Sequence, residues 1–251
     1  MTDFDLSGRV AVVTGGSRGI GAAIVEQFAR HGARVGFCHV GDHAAAEALV
    51  QRLTKGGADV AQCEADIADP AAVEALGAWA GDRFGPVDIL VNGAGIGGDI
   101  LFSDMTLADF DRMIGVHLRG TFLVTKQFYG PMAARGWGRV INISSQLAYK
   151  GAPGQSHYCA AKAGIVGFTR ALAYEGALRG VTVNSIAPGP VDTQLLMSMS
   201  QEWRDMKMGQ LPLGRFGRVE EIAPTALLLA SEAGSFYIGQ TLSPNGGDVL
   251  L

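Results

Sequence analysis

Tyr158 and Lys162 lie four residues apart in the stretch Ser144 to Lys162, SSQLAYKGAPGQSHYCAAK. On a helix, that spacing puts a phenol and an ammonium on one face. A free phenol titrates near ~10, too high for ready proton donation at neutral pH. An ammonium about 4 Å away favours the phenolate by roughly 4 kcal/mol at an effective dielectric of about 20. At about 1.4 kcal/mol per unit, the phenol is expected to drop by up to ~3, into the range useful for acid–base work. Ser144 and Ser145 add two hydroxyls just upstream, and a Gly/Pro-rich loop separates them from the tyrosine.

Such groups need a scaffold and a reaction partner. Arg9 to Thr14 (RVAVVT) reads as a buried strand. It runs into Gly15-Gly16-Ser17-Arg18-Gly19-Ile20-Gly21 and then an apolar-periodic helix. Strand, glycine turn and helix are the context in which a glycine fingerprint binds a dinucleotide. The helix N-terminus offers free N–H groups and a positive dipole end to phosphate. Side chains at Gly15, Gly19 or Gly21 would block close approach of a pyrophosphate or of strand to helix. The spacing, G-x-x-x-G-x-G, is one residue longer than the usual fingerprint.

The next strand, Arg34 to Val40, ends at Cys38 and His39 where NAD enzymes place an acid for the ribose 2′-OH. No carboxylate appears until Asp42, so NADP(H) is the expected cofactor and NAD(H) the alternative. Arg18 is the expected bidentate partner of a 2′-phosphate. Asp66 and Ile67 follow a third strand; Asp66 either accepts from an adenine amine or caps the helix that begins near Pro70. A fourth strand, Val87 to Val91, leads into Asn92-Gly93-Ala94-Gly95, small residues at the edge where doubly wound sheets bind ligands. Helices around 108–115 and 118–135, a strand at Arg139–Ile143, a long helix from Tyr158 to about Leu178 and a strand at Val181–Ile186 continue the pattern. That sixth strand ends in Pro188-Gly189-Pro190, and a helix at Glu220–Ala230 and a last strand at Gln240–Leu242 follow. The alternation predicts one α/β domain over 1–251, a Rossmann-type doubly wound parallel sheet of about seven strands with helices on both faces. Residues 194–214, rich in Leu and Met, are expected to form an adaptable substrate lid or a subunit contact.

Composition sets outer bounds. The chain has 251 residues, 48% hydrophobic and 18% charged, enough to bury a sizeable core. Net charge is −4 with no basic run, so neither nucleic acid nor an anionic membrane is an expected partner. The start, MTDFDLSGRV, has no apolar core of a signal peptide. Cys38, Cys63 and Cys159 are isolated, show no metal spacing, and suggest a reducing compartment, the cytoplasm.

Taken together, the chain resembles the short-chain dehydrogenase/reductase family over nearly its whole length. The resemblance rests on TGGSRGIG at 14–21, Asp66-Ile67, NGAG at 92–95, Ser145, Tyr158-x-x-x-Lys162, and Pro188-Gly189 with Thr193. It implies hydride transfer between nicotinamide and a carbonyl carbon. Tyr158 would then protonate the oxygen while Ser145 donates a hydrogen bond to it. Lys162 would lower the tyrosine pKa and bind the nicotinamide ribose. Val191 and Thr193 would contact the carboxamide and Gln155 the substrate.

Two positions depart from the family pattern. Gly93 stands where the second asparagine of Asn-Asn-Ala-Gly is usual, and His117 takes the place of the family's fourth catalytic residue, an asparagine. An imidazole there is expected to keep the proton relay and make it pH-sensitive.

Within the family the chain is most similar to NADPH-dependent 3-oxoacyl-acyl-carrier-protein reductases. The implied substrate is a small carbonyl or alcohol, carried on acyl carrier protein or CoA. Arg135 and Arg179 are candidates for a carrier-protein patch, and the implied assembly is a homotetramer through 118–135 and 158–178. The alternatives are a polyol or secondary-alcohol dehydrogenase and a non-catalytic, cofactor-sensing member of the fold.

Overall fold

The computed structural model describes residues 4–197 and 199–250, with the side chain of Leu195 also outside the description. The alternation expected from sequence is present. Strand β1 (Val10–Thr14) is buried at every position, as its apolar run demands, and feeds α1 (Gly19–Arg30). Next come β2 (Arg34–His39), α2 (His43–Lys55), β3 (Val60–Glu64), α3 (Pro70–Phe84) and β4 (Ile89–Asn92). Helices α4 (Leu107–Ile114) and α5 (Gly120–Arg135) lead to β5 (Gly138–Ile143). A short α6 (Leu147–Lys150) precedes α7 (Ser156–Ala177) and β6 (Val181–Ile186). The chain ends with α8 (Gln194–Met197), α9 (Gln201–Gln210), α10 (Val219–Ala230) and a two-residue β7 (Thr241–Leu242).

All seven strands are parallel, in the order β3-β2-β1-β4-β5-β6-β7. The order reverses direction between β1 and β4, and ligands bind outside the carboxyl ends of the strands at such a point. Two apolar layers sandwich the sheet. One gathers Val13, Phe28, Phe37 and Ile141 with α1, α2 and α10. The other gathers Val12, Leu76, Leu90 and Met132 with α3 and α5.

Two details differ from the sequence reading. Helices α4 and α5 are not separated by a break: residues Gly115–Arg119 form a π-helical turn between them. Such turns keep helical periodicity while redirecting side chains, and they occur often at functional sites. Strand β4 also runs on to Asn92, because its buried amide has partners. Asn92 Nδ2 donates to Thr125 Oγ1 at 2.9 Å and to Asn142 Oδ1 at 2.8 Å, and Asn142 donates to Thr169 Oγ1 at 2.9 Å.

Candidate active site

The glycine turn is shaped by contacts that only hydrogen satisfies. A Cβ at Gly21 would lie 2.1 Å from the Gly15 carbonyl oxygen, and one at Gly15 would lie 2.7 Å from Ala94 Cα. Gly15 and Gly19 have φ of +68° and +56°, where glycine alone is unstrained. Helix α1 starts without a side-chain cap and without an acidic residue in its first turn. Its first N–H groups, at Gly19, Ile20 and Gly21, are therefore open to an anion. Thr193 faces Gly19 across the crevice, its methyl 3.5 Å from a Cβ placed there. Val191 is tied by a β-bridge to Gly217, and Pro188 is buried just before it. Gly189 packs so closely on Asn245 that a Cβ would lie 2.6 Å from its Cα. This cradle fits the phosphates of a dinucleotide.

Several residues expected to meet the cofactor have other partners. His39 is buried; its Nε2 pairs with Gln62 at 2.8 Å and its Nδ1 accepts from the Asp42 N–H at 3.2 Å. No ring nitrogen is left for the adenosine. The Asn92 Nδ2 group is spent on the core ladder, while its Oδ1 is buried without a partner. The Thr14 hydroxyl accepts from Gly93 and Ala94 N–H, each at 3.1 Å. Gly93 itself has a local reason: a Cβ would lie 2.9 Å from the Thr14 carbonyl oxygen.

The two possibilities for Asp66 separate. Asp69 caps α3 through Ala71 N–H at 3.0 Å, whereas Asp66 is exposed and its Oδ1 accepts from Ala68 N–H at 2.9 Å. Ile67 is buried against Gly120.

Asp42, read from sequence only as the first carboxylate after the second strand, proves central. Its carboxylate pairs with the Arg18 guanidinium through two contacts, and the Ser17 hydroxyl also holds it below the usual carboxylate range. Arg18 Nη1 donates in addition to Gln194 Oε1 at 2.8 Å, at the start of α8. The expected 2′-phosphate ligand is therefore already ion-paired, with its side chain 53% exposed.

Tyr158, Lys162, Ser145 and His117 do meet. Helix α7 starts at Ser156, two residues before Tyr158, so tyrosine and lysine share its inward face. Lys162 Nζ donates to the Ile143 carbonyl at 2.7 Å and lies 5.6 Å from the Tyr158 ring centroid. Ser144 turns its hydroxyl to the Lys162 carbonyl at 2.9 Å. Ser145 Oγ accepts from Leu147 N–H at 3.1 Å, which leaves its own proton to donate. The same hydroxyl, beside the Tyr158 phenol, opposes the rise in its pKa.

The electrostatics differ from expectation. Burial pushes Tyr158 up to about 12, and no lysine effect offsets it. The reason is geometric: the ammonium is directed at a carbonyl and stands back from the phenol. Burial also lowers Lys162 to about 7. The phenol is thus held protonated, loaded as an acid.

His117 sits in the π turn, 3% exposed, its ring edge-on to Tyr158 at 5.3 Å between centroids. Nε2 lies 2.8 Å from the Ile96 carbonyl and 3.1 Å from the Ile96 N–H. Nδ1 is buried without a partner. Burial, then the charge of Lys162, lowers its pKa to about 3. That direction argues against a relay that titrates near neutrality and favours a neutral ring. Gly95 makes room for it, since a Cβ there would lie 2.3 Å from Cε1.

Around this centre, Gln155 donates its amide to Asp99, joining the loop before α7 to the loop after β4. Of the arginines considered for a carrier-protein patch, Arg135 turns inward to the Val87 carbonyl and Asp88. Met199, Trp203, Met206 and Met208 of the candidate lid fall on and around α9; Ser198 lies outside the described residues.

The chain is similar to known proteins over nearly its whole length. Residues 15–248 match the family model described as enoyl-(acyl carrier protein) reductase. The chain is 42% identical to an acetoacetyl-CoA reductase of Rhizobium meliloti, covering 95% of this chain and 98% of that one. It is 38% identical to a 3-oxoacyl-acyl-carrier-protein reductase of Aquifex aeolicus, covering 98% and 99%. Among solved structures, a putative gluconate dehydrogenase from Agrobacterium tumefaciens superposes with a TM-score of 0.95 at 31% identity, covering all of both chains.

Proposed function

This chain belongs to the short-chain dehydrogenase/reductase family and is an oxidoreductase, and from that premise we propose that it reduces the ketone of a 3-oxoacyl thioester with NADPH. The observation that carries this reading is the meeting of Ser145, Tyr158 and Lys162 at the carboxyl edge of β5, beside the glycine turn. A bound nicotinamide supplies the hydride. Ser145 keeps its proton and donates a hydrogen bond to the substrate oxygen, its Oγ already accepting from Leu147 N–H. Tyr158 delivers its proton to the same oxygen as negative charge develops there. Lys162 stands behind the ring and stabilises the phenolate left behind. His117 fixes the Ile96 backbone and packs on Tyr158 as a neutral ring. Val191 and Thr193 border the nicotinamide end, and Gln155 and residues 194–214 border the substrate.

The reading favours NADP(H) because the Arg18 guanidinium, 53% exposed beside the glycine turn, can turn from Asp42 to a phosphate. Exposed ion pairs are worth about 0.2–1 kcal/mol, little against a dianionic phosphate. NAD(H) remains the alternative for the same reason: an acid does stand near the site. Relatives named as reductases of CoA- and carrier-linked thioesters support that substrate class. Exposed Phe122 on α5, Tyr174 on α7 and Leu178 just past its end support a homotetramer built through those helices. Three free cysteines, two with thiol pKa values raised to about 11 or 12 by burial, suit the cytoplasm.

The test is a substrate panel. NADPH oxidation with acetoacetyl-CoA should exceed NADH oxidation and any NAD(P)-linked turnover of polyols. Preferential oxidation of polyols would overturn the thioester reading, and the solved structure named as a putative gluconate dehydrogenase makes sugar acids the first such substrates to try.

A further inference from the structure

The carboxyl-terminal turn carries a charge cluster that the proposed chemistry does not use. Asp248 is almost fully enclosed, its side chain 4% exposed. Its carboxylate accepts from Lys207 Nζ at 2.8 and 2.7 Å, from Lys150 Nζ at 2.6 Å, and from Gln146 Nε2. The three donors lie 41, 98 and 102 residues away in sequence. Lys207 is on α9, inside the candidate lid. Lys150 ends α6. Gln146 directly follows Ser145, and its N–H is held by the Pro188 carbonyl at 3.1 Å. A single carboxylate therefore joins the lid, the segment that carries Ser145 and the tail. The tail also packs on the far end of 194–214: a Cβ at Gly247 would lie 2.9 Å from Pro212 Cγ, and Gly246 faces Leu213.

The charges explain why this junction is directional. Two ammonium groups share one carboxylate. Without it they face each other across the junction, and the Lys207 side chain is only 11% exposed. A buried cation that loses its partner leaves for solvent and takes its element along.

We propose that Asp248 is a positioning residue that latches α9 to the Ser145 segment and thereby sets the grip on substrate. This rests on the reading of 194–214 as the lid and of Ser145 as a donor to the substrate oxygen. Asp248 touches neither substrate nor cofactor in this account, so its loss weakens binding more than it slows chemistry.

The test uses the full-length enzyme carrying Asp248→Asn. Hydrogen exchange of the α9 amides should accelerate about tenfold or more while the amides of β1, β4 and β5 keep their protection. KM for acetoacetyl-CoA should rise about tenfold while kcat stays within about threefold. Lys207→Gln should reproduce both effects, and the double variant should be no worse than Asp248→Asn, because both remove one contact. Asp248→Glu should recover part of the KM. Unchanged α9 exchange and unchanged KM would overturn the proposal. So would a uniform rise in exchange over the whole sheet, the mark of a merely structural residue. If the wild-type enzyme does not turn over acetoacetyl-CoA, the thioester reading fails, and the α9 exchange alone decides whether the latch exists.

Discussion

His117 is the residue whose charge state the structure constrains most sharply, and acid is the perturbation that reveals it. The imidazole is 3% exposed, keeps Nε2 on the Ile96 backbone and leaves Nδ1 unpaired, with its pKa lowered from 6.5 to about 3. The folded pKa lies below the unfolded one, so the unfolded chain binds the proton more readily between those values. Stability that is complete above pH 6.5 is then lost as pH falls. With those two pKa values, lowering the pH from 7 to 5 removes about 2 kcal/mol through this one ring. Urea denaturation at fixed protein concentration measures it. The wild-type protein should lose about 2 kcal/mol more than His117→Asn over that interval. Between pH 6 and 9, where the ring stays neutral, the pH–rate profile of His117→Asn should keep the wild-type shape. Equal acid losses in the two proteins would refute the burial argument. A pH–rate step near 6.5 that disappears in His117→Asn would restore the titrating relay.

Two further outcomes follow from the cofactor cradle. Asp42→Asn removes the anion that pairs with Arg18 and Ser17, so 2′,5′-ADP should bind roughly 1.5- to 5-fold tighter by titration calorimetry, the worth of an exposed pair. Binding of 5′-ADP should not change; an unchanged or weaker 2′,5′-ADP would show that the carboxylate does not compete with the phosphate. Gly21→Ala places a Cβ 2.1 Å from the Gly15 carbonyl oxygen, a backbone atom that can move only with β1. It should cost about 1–3 kcal/mol of stability and at least about tenfold in NADPH affinity measured by cofactor fluorescence; near-wild-type values would mean the turn yields more than its packing allows.

The parts of this molecule that sequence made legible are those fixed by neighbours along the chain. VAVVT is apolar up to its last residue, Thr14, because a parallel strand is buried on both faces. The glycines at 15, 19 and 21 mark a turn that tolerates no side chains, and the four-residue step from Tyr158 to Lys162 survives as one face of α7. What stayed hidden depends on distant partners. Asp42 meets Arg18 from 24 residues away, and Asp248 gathers donors up to 102 residues away. The π turn at Gly115–Arg119 keeps a helical pattern, so nothing in its residues announces it. The pKa values went astray for a related reason. Spacing put a cation near Tyr158 but could not reveal that Lys162 bonds to Ile143, or that burial dominates at Tyr158, Lys162 and His117.

The central claim is that Tyr158 gives its proton to the substrate oxygen. Single-turnover oxidation of bound NADPH by acetoacetyl-CoA in Tyr158→Phe tests it most directly, with NADPH affinity measured alongside. The account predicts a loss of about 10²–10⁴ in the rate of that step with cofactor affinity essentially unchanged. A phenylalanine variant that transfers hydride within about tenfold of the wild-type rate would contradict it.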